Sequence, residues 1–364
     1  MNDVRAMTRE RLDGRLLAVL RLVSPGTPLR QGLERILRAE TGGLIVLGGP
    51  PQVQALFTGG FRIQVPFTAQ RLSELAKMDG ALVLDEGAHD ILWANVHLMP
   101  DAAVPTVETG TRHRTAERVA RQAGVPVIAV SESMRTVTLY VDGWRHVVDE
   151  VGAVLSRANQ AVQTLQHYRA RFDEASATLN ALELQGHATH RTVLALLCRA
   201  DMVRRIGGEV ESYVAELGAD ARMLRLQLDE LGAGVEEEQR LAVRDYLRPG
   251  RGVEVDDVLD ELSRRSPEEL SDPAAVAKAL DLTGNPDALD QAVAPRGHRL
   301  LSKVRGLPPS VIARVVERFG SLKVVLAASL EDLEEVEGVG PGRARNLREG
   351  LARLAESSAL EQYV

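Results

Sequence analysis

Over residues 1–150 the apolar positions switch between two periods. Leu16, Leu17, Val19, Leu20 and Val23 recur at helical spacing in the Arg-repeating segment Met1 to Leu22, which predicts an amphipathic helix ending at Ser24-Pro25-Gly26. Leu44, Ile45, Val46 and Leu47, bounded by Gly42-Gly43 and Gly48-Gly49, form a continuous apolar run of strand length. Ala81 to Leu84 and Val127 to Val130 read the same way. Ala116, Val119, Ala120 and Ala123 return to helical spacing, and two apolar runs, Val137 to Tyr140 and Trp144 to Val148, flank Val141-Asp142-Gly143 as a hairpin would. Residues 1–150 therefore read as an α/β domain, a mixed sheet flanked by helices.

From Val151 to about Pro295 the strand signals stop. Leu and Ala recur at three- and four-residue steps, as in Val193, Leu194, Leu196 and Leu197 and again in Leu224, Leu226, Leu228 and Leu231. Breaks are expected at Gly186, Gly207-Gly208, Gly232 to Gly234 and Pro249-Gly250. This predicts an all-α spine over 151–295, a spacer with acidic solvent faces. Residues 296–364 carry a pseudo-repeat. Val304-Arg305-Gly306-Leu307-Pro308-Pro309 opens a helix through Val311, Ile312, Val315 and Val316, and Val336-Glu337-Gly338-Val339-Gly340-Pro341-Gly342 opens another through Ala344, Leu347, Leu351 and Leu354.

Composition narrows the class. A chain of 364 residues, 45% hydrophobic and 26% charged, is ordinary for a soluble protein of two or three domains. It contains no apolar run of the ~18–20 residues needed to span a bilayer. With one cysteine, Cys198, an intramolecular disulfide cannot close, which points to a reducing compartment and a cytoplasmic location. The net charge of −7 is uneven: neutral in 1–150, strongly acidic in 151–295, mildly basic in the tail. An acidic total is thus compatible with nucleic-acid binding at one end. Aromatics at 3% leave little for base stacking.

Two segments carry chemistry. In the tail, Gly338, Gly340 and Gly342 let the backbone approach a phosphate, and Arg343, Arg345 and Arg348 follow on the next helix. The segment looks like a tandem helix-hairpin-helix module that holds DNA by its phosphates, with salt-sensitive affinity. The first copy lacks the second glycine, and the competing reading is a glycine-capped helix pair used for protein contacts. In the first domain, Asp79-Gly80-Ala81 places a carboxylate in the turn before a buried strand, and Thr111-Arg112-His113-Arg114-Thr115 opens a helix with cationic side chains. Cations there oppose the helix dipole unless an anion is bound among the free amides, hydroxyls and guanidinium groups.

Asp79-Gly80-Ala81 with Arg112-His113-Arg114 is the motif pair of diadenylate cyclase domains. With the helical spine and the helix-hairpin-helix tail, and with Ala94-Asn95-Val96-His97-Leu98-Met99-Pro100-Asp101 also fitting, essentially the whole chain resembles the DNA-integrity scanning family of diadenylate cyclases. The resemblance implies condensation of two ATP into cyclic di-AMP and two pyrophosphates across a face-to-face dimer of active sites. It gives Asp79 the role of holding Mg²⁺ or Mn²⁺ and helping to deprotonate the attacking hydroxyl. Arg112, His113 and Arg114, with Thr111 and Thr115, would hold the triphosphate, phosphate hydrogen bonding ranking above metal ligation for His113. Gly80 and Ala81 would lie against the nucleotide, Leu98 against the adenine, and Ser131 is a weaker phosphate candidate. Further implied are an octamer with DNA modules at its outer ends, control of the cyclase by branched DNA or recombination intermediates, and association with a bacterial nucleoid when DNA-bound. The other reading, from a different class, is a branched-DNA-binding architectural protein whose nucleotide domain only senses ATP.

Other candidates reduce to packing or solvation. No Gly-x-Gly-x-x-Gly or P-loop motif is present. His187 and His190, which could share a helical face, read as a solvated pair, Cys198 as core, and Glu236-Glu237-Glu238 as a solvated charge run.

Overall fold

The computed structural model describes residues 14–49, 51–247, 254–270, 276–277 and 289–361. The chain divides into two compact units, residues 1–160 with 210–226 and residues 161–209 with 227–364. The first thirteen residues of the expected opening helix and the expected break at Pro249-Gly250 lie outside the described residues.

The first unit is built on one mixed sheet. Its strands are β1 (Gly43–Leu47), β2 (Phe57–Thr58), β3 (Phe61–Pro66), β4 (Ala81–Leu84), β5 (Asp90–Leu98), β6 (Val127–Ser131), β7 (Thr136–Val141) and β8 (Trp144–Val148). They lie in the order β2-β5-β4-β1-β6-β7-β8, with β3 also paired to β5. Only β1 and β4 run parallel; the other pairs are antiparallel. The central strands are buried on both faces, which is why they read as unbroken apolar runs rather than alternating ones. One face, with Ile45, Leu47, Leu82, Leu84, Ile128 and Leu139, packs with helix 14–23 and helix Pro28–Arg38. The other, with Val46, Val83, Val127 and Ala129, packs against Ala116, Val119 and Ala120 of α1 (Thr111–Ala123). Asp142 (φ +49°) and Gly143 (φ +85°) close the β7–β8 hairpin with two positive φ angles, the conformation its sequence demands.

Strand β3 carries no apolar run in the sequence, and the run Ile91 to Ala94 in β5 stops at polar Asn95. The residues of β3 are exposed or half-buried and those of β5 mostly half-buried or buried, and β5 is broken by Asn95 at φ +53°, where its register with β4 shifts.

The second unit is helical. Two long helices, α2 (Val151–Gln185) and α3 (His190–Leu217), begin or end in the first unit and are followed by α4 (Arg222–Gly232) and α5 (Val235–Tyr246). Gly186 (φ +73°) and Gly234 (φ +74°) break helices as expected. Gly207 and Gly208 do not: α3 continues through them, and Gly207 has room beside Leu228 for the neighbouring helix. His187 lies in the turn between α2 and α3 while His190 opens α3, so the two imidazoles do not share a helical face. Burial pushes the Cys198 thiol up to about 12, consistent with packing rather than reactivity.

The last part of this unit forms two helix pairs, His298–Ser302 with Pro309–Phe319 and Leu330–Glu334 with Pro341–Glu361. Each turn places an equivalent glycine in the left-handed region, Gly306 at φ +81° and Gly338 at φ +86°. Leu301, Val304, Val315, Leu333, Val336 and Leu347 meet in one core. Below it, Arg299 is fully buried between Glu183 and Glu238, both 2.6 Å away, and Lys303 reaches Glu238 at 2.9 Å. Glu238 is therefore a buried ion-pair partner and not part of a solvated run. The Asp245 carboxylate accepts the backbone N–H groups of Gly297, His298 and Arg299 at 2.7–2.9 Å, capping the helix that Arg299 enters.

Candidate active site

The sheet register gathers the Asp79 and Arg112 motifs at one edge. The parallel pairing of Ile45 with Leu82 puts Gly42, just before β1, and the Asp79 turn, just before β4, at the same end of the sheet. On the other side of β1, Gly43 pairs with Val130, so Ser131 ends β6 at the same edge, and Ala81 pairs with Val96, which brings Asn95 and Leu98 of β5 there too. A tight turn through Gly124 (φ +65°) joins the C-terminus of α1 to the start of β6. Helix α1 thus runs back along antiparallel β6, and its N-terminus arrives at the edge carrying Asp79. Arg112 makes this concrete: its guanidinium lies over Gly42, where an added Cβ would stand 2.1 Å from Nη1. Gly42 is required by Arg112.

The α1 N-terminus is open. Gly110 caps it without a side-chain hydrogen bond, no acidic residue lies in the first turn, and the first intrahelical bond is donated by Arg114 to the Gly110 carbonyl at 2.9 Å. The amides of Thr111, Arg112 and His113 are consequently unpaired within the helix. Among the described residues, the side chains of Thr111, Arg112, Arg114 and Thr115 make no hydrogen bond or ion pair, and Arg112 is half-buried while Arg114 is exposed. The far side of the same helix is fully engaged. Arg118 donates to the Val104 and Ala102 carbonyls (both 2.9 Å), Arg121 to that of Pro105 (2.7 Å), and buried Glu117 accepts from Thr106 and Val107. These contacts strap the loop before α1 to its helix and fix where the helix begins.

Asp79 is exposed and free of hydrogen bonds and ion pairs among the described residues. Gly80 donates its N–H to the Asn95 side-chain oxygen at 3.0 Å, and a Cβ at residue 80 would lie 2.4–2.5 Å from Asn95 atoms. The close approach that Gly80 permits in this structure is to Asn95, whose positive φ turns its amide onto the Asp79 turn. Ala81 is buried in the sheet core, and Leu98 is half-buried beside it, in the cluster that includes Phe57 and Trp93. Ser131 is buried, and its hydroxyl accepts the Met134 N–H at 3.2 Å.

Three residues outside the sequence reading complete the site. His113 Nδ1 lies 2.9 Å from the Tyr140 hydroxyl, Tyr140 donates to Glu108 Oε1 at 2.8 Å, and Arg145 donates to the same oxygen at 2.7 Å. Among the described residues, His113 Nε2 is buried without a hydrogen-bond partner. Burial, reinforced by Arg145 and Arg112 and opposed by Glu108, holds the His113 imidazole below its ordinary pKa. Burial and the bond to Glu108 raise that of Tyr140. Glu108 opens the helix motif in sequence, but Tyr140 and Arg145 come from the hairpin, and only the folded sheet brings them to it.

No cluster of three or more His, Cys, Asp or Glu side chains able to hold a metal occurs among the described residues. Of the motif residues at this edge, Asp79 supplies the one carboxylate. That set fits a hard divalent cation bound by one carboxylate together with substrate phosphates and water, and does not fit an all-protein cage.

The tail residues lie in the second unit. Gly340 and Gly342 face open space, and a Cβ on Gly338 would stand 2.7 Å from the Arg314 guanidinium. Arg343 folds back to the Gly338 carbonyl at 2.7 Å, whereas Arg345 and Arg348 are exposed and, among the described residues, unpaired.

Two family models match the chain: the DisA bacterial checkpoint controller nucleotide-binding region over residues 30–144 and the DisA bacterial checkpoint controller linker region over residues 148–289. The chain is 57% identical over 355 residues to the DNA integrity scanning protein DisA of Streptomyces avermitilis, covering 97% of this chain and 95% of that protein. It is 56% identical to the protein of the same name from Acidothermus cellulolyticus, over 97% and 96% of the two chains. For that from Streptomyces coelicolor the identity is 55%, over 97% and 95%.

Proposed function

The chain belongs to the DisA family of diadenylate cyclases, and from that premise we propose how its own residues join two ATP into cyclic di-AMP. The observation that carries the reading is that Asp79, unpaired among the described residues, sits at the same end of the sheet as Gly42, which the Arg112 guanidinium covers, and the open N-terminus of α1. A carboxylate beside a ready-made anion site is what attack of a ribose hydroxyl on an α-phosphate needs.

The triphosphate of one ATP sits on the amides and side chains of Thr111, Arg112, His113, Arg114 and Thr115. Cationic groups and oriented N–H dipoles there neutralise the charge that builds on the α-phosphate and on the departing pyrophosphate. The exposed Asp79 Oδ atoms take the proton of the 3′-hydroxyl as its oxygen bonds to phosphorus. Asp79 would also hold Mg²⁺ or Mn²⁺, which would supply charge neutralisation and lower the hydroxyl's pKa. The Gly80–Asn95 bond keeps the Asp79 turn tight, Ala81 roots it in the core, and Leu98 contributes apolar surface toward the base. Ser131, engaged with Met134, acts as a turn-former that borders the phosphates.

One site binds one ATP while the product needs two bonds, so two sites must face each other across a two-fold axis. We extend the reading to the tail as follows. The paired helix turns act as a tandem helix-hairpin-helix that takes DNA phosphates at Gly338, Gly340, Gly342, Arg343, Arg345 and Arg348. Binding of branched DNA changes the cyclase rate within a larger homo-oligomer, an octamer. The equivalent positive-φ glycines and the unpaired Arg345 and Arg348 support this.

Incubation with ATP and Mg²⁺ or Mn²⁺, followed by mass analysis, tests the reading. It predicts cyclic di-AMP with two pyrophosphates per product. Unchanged ATP under both metals, from protein that binds ATP and oligomerises, would leave an ATP-sensing DNA-binding protein instead.

A further inference from the structure

A neutral imidazole has one N–H, and the partner on one ring nitrogen decides the state of the other. Around His113 that decision can be followed proton by proton. Glu108 Oε1 receives Arg145 Nε at 2.7 Å and the Tyr140 hydroxyl at 2.8 Å. A carboxylate accepts only, so the one hydroxyl proton of Tyr140 points to Glu108, and its oxygen is left as an acceptor. His113 Nδ1, 2.9 Å from that oxygen, must then be the donor. The opposite assignment would set the lone pairs of Tyr140 and Glu108 against each other at 2.8 Å. His113 Nε2, which has no partner, is left with its lone pair.

We propose that Glu108, Tyr140 and Arg145 are positioning residues for the cyclase: they fix His113 as the Nδ1–H tautomer and keep Nε2 as the nitrogen that meets the nucleotide. The inference rests on α1 as the triphosphate site. It adds that His113 arrives there neutral and basic at Nε2. A bound triphosphate draws a proton from solvent onto Nε2, and the Nε2–H so formed donates to a phosphate oxygen while Nδ1–H stays on Tyr140. The charged groups around the ring agree: Glu108 favours the imidazolium, Arg112 and Arg145 oppose it, and burial opposes it most. An arriving polyanion reverses the balance.

Neutron diffraction from crystals of the deuterated full-length protein without nucleotide reads the tautomer. The proposal expects deuterium on His113 Nδ1 and on the Tyr140 oxygen toward Glu108; deuterium on Nε2 with a bare Nδ1 overturns it. Kinetics read the consequence. The limb of the kcat/KM pH profile that vanishes in His113→Gln should move to lower pH in Tyr140→Phe and in Glu108→Gln, because each removes support for the imidazolium. Folded variants whose limb stays in place would overturn the positioning role. Failure of α1 as the triphosphate site would look different: His113→Gln would turn over as the unmodified protein does while the neutron result still stood.

Discussion

Arg299 and Arg145 each hold a glutamate at about the same distance, but in very different surroundings. Arg299 is completely buried, and Glu183, Glu238 and Lys303 close around it while Tyr246 donates to Glu183 at 2.7 Å and Asp245 caps the adjoining helix. Among the described residues, no buried side-chain nitrogen or oxygen of that group lacks a partner. Arg145 keeps 43% of its side chain in solvent, and the chain it starts ends on an orphaned imidazole nitrogen. A low-dielectric cluster must be fully satisfied to be tolerated, and then it specifies geometry. A cluster that stops one partner short, beside an uncapped helix start and an unpaired carboxylate, has left room for a ligand to finish it. The first pattern identifies a structural joint within the second unit, the second a reaction site.

The largest effect should come from closing the gap on which the site depends. Gly80→Ala places a methyl where Asn95 already stands, displacing the Asp79 turn; a shift on the order of 1 Å in such a position costs roughly 100-fold in rate. Cyclic di-AMP formation should fall by about that factor, and near-normal turnover would show that the turn tolerates the shift. Next, Arg299→Ala strands Glu183 and Glu238 in the interior and should lower unfolding free energy by about 3–5 kcal/mol, read from denaturant curves of the second unit's transition. Arg145→Ala, whose guanidinium is partly solvated and leaves Glu108 bonded to Tyr140, should cost less, about 1 kcal/mol. Equal losses would erase the distinction between the two clusters. The smallest effect belongs to the tail: replacing both Arg345 and Arg348 by Ala should weaken DNA binding alike for all sequences and flatten its log–log salt dependence by about 0.9 for each DNA phosphate that is no longer neutralised. An unchanged slope would leave the second helix pair as a protein-binding element.

The sequence exposes the parts of this molecule whose signals are local. Double-sided burial makes β1, β4 and β6 apolar runs, and the hairpin glycine and the glycines at 306 and 338 mark real positive-φ turns. Strand β3 escapes because its residues stay exposed or half-buried, and β5 because polar Asn95 cuts its apolar run short. Gly207-Gly208 misleads because tertiary packing carries a long helix through a weak former. Glu238 misleads because a run of three glutamates looks solvated until Arg299 and Lys303 arrive from sixty residues away. At the site, Asp79 and Arg112 to Arg114 stand out as motifs. Gly42, Asn95, Tyr140 and Arg145 do not, since each acquires its role only through strand register or an interaction across the sheet.

The central claim is that the unpaired Asp79 carboxylate does chemistry at a phosphate site formed by other residues. It is tested by Asp79→Asn, an isosteric change at an exposed position with no partner to lose among the described residues. With ATP and Mn²⁺ or Mg²⁺, the variant should make no detectable cyclic di-AMP while binding ATP and assembling nearly as the unmodified protein does. Product at the normal rate, or loss of binding and assembly together with synthesis, would contradict that claim.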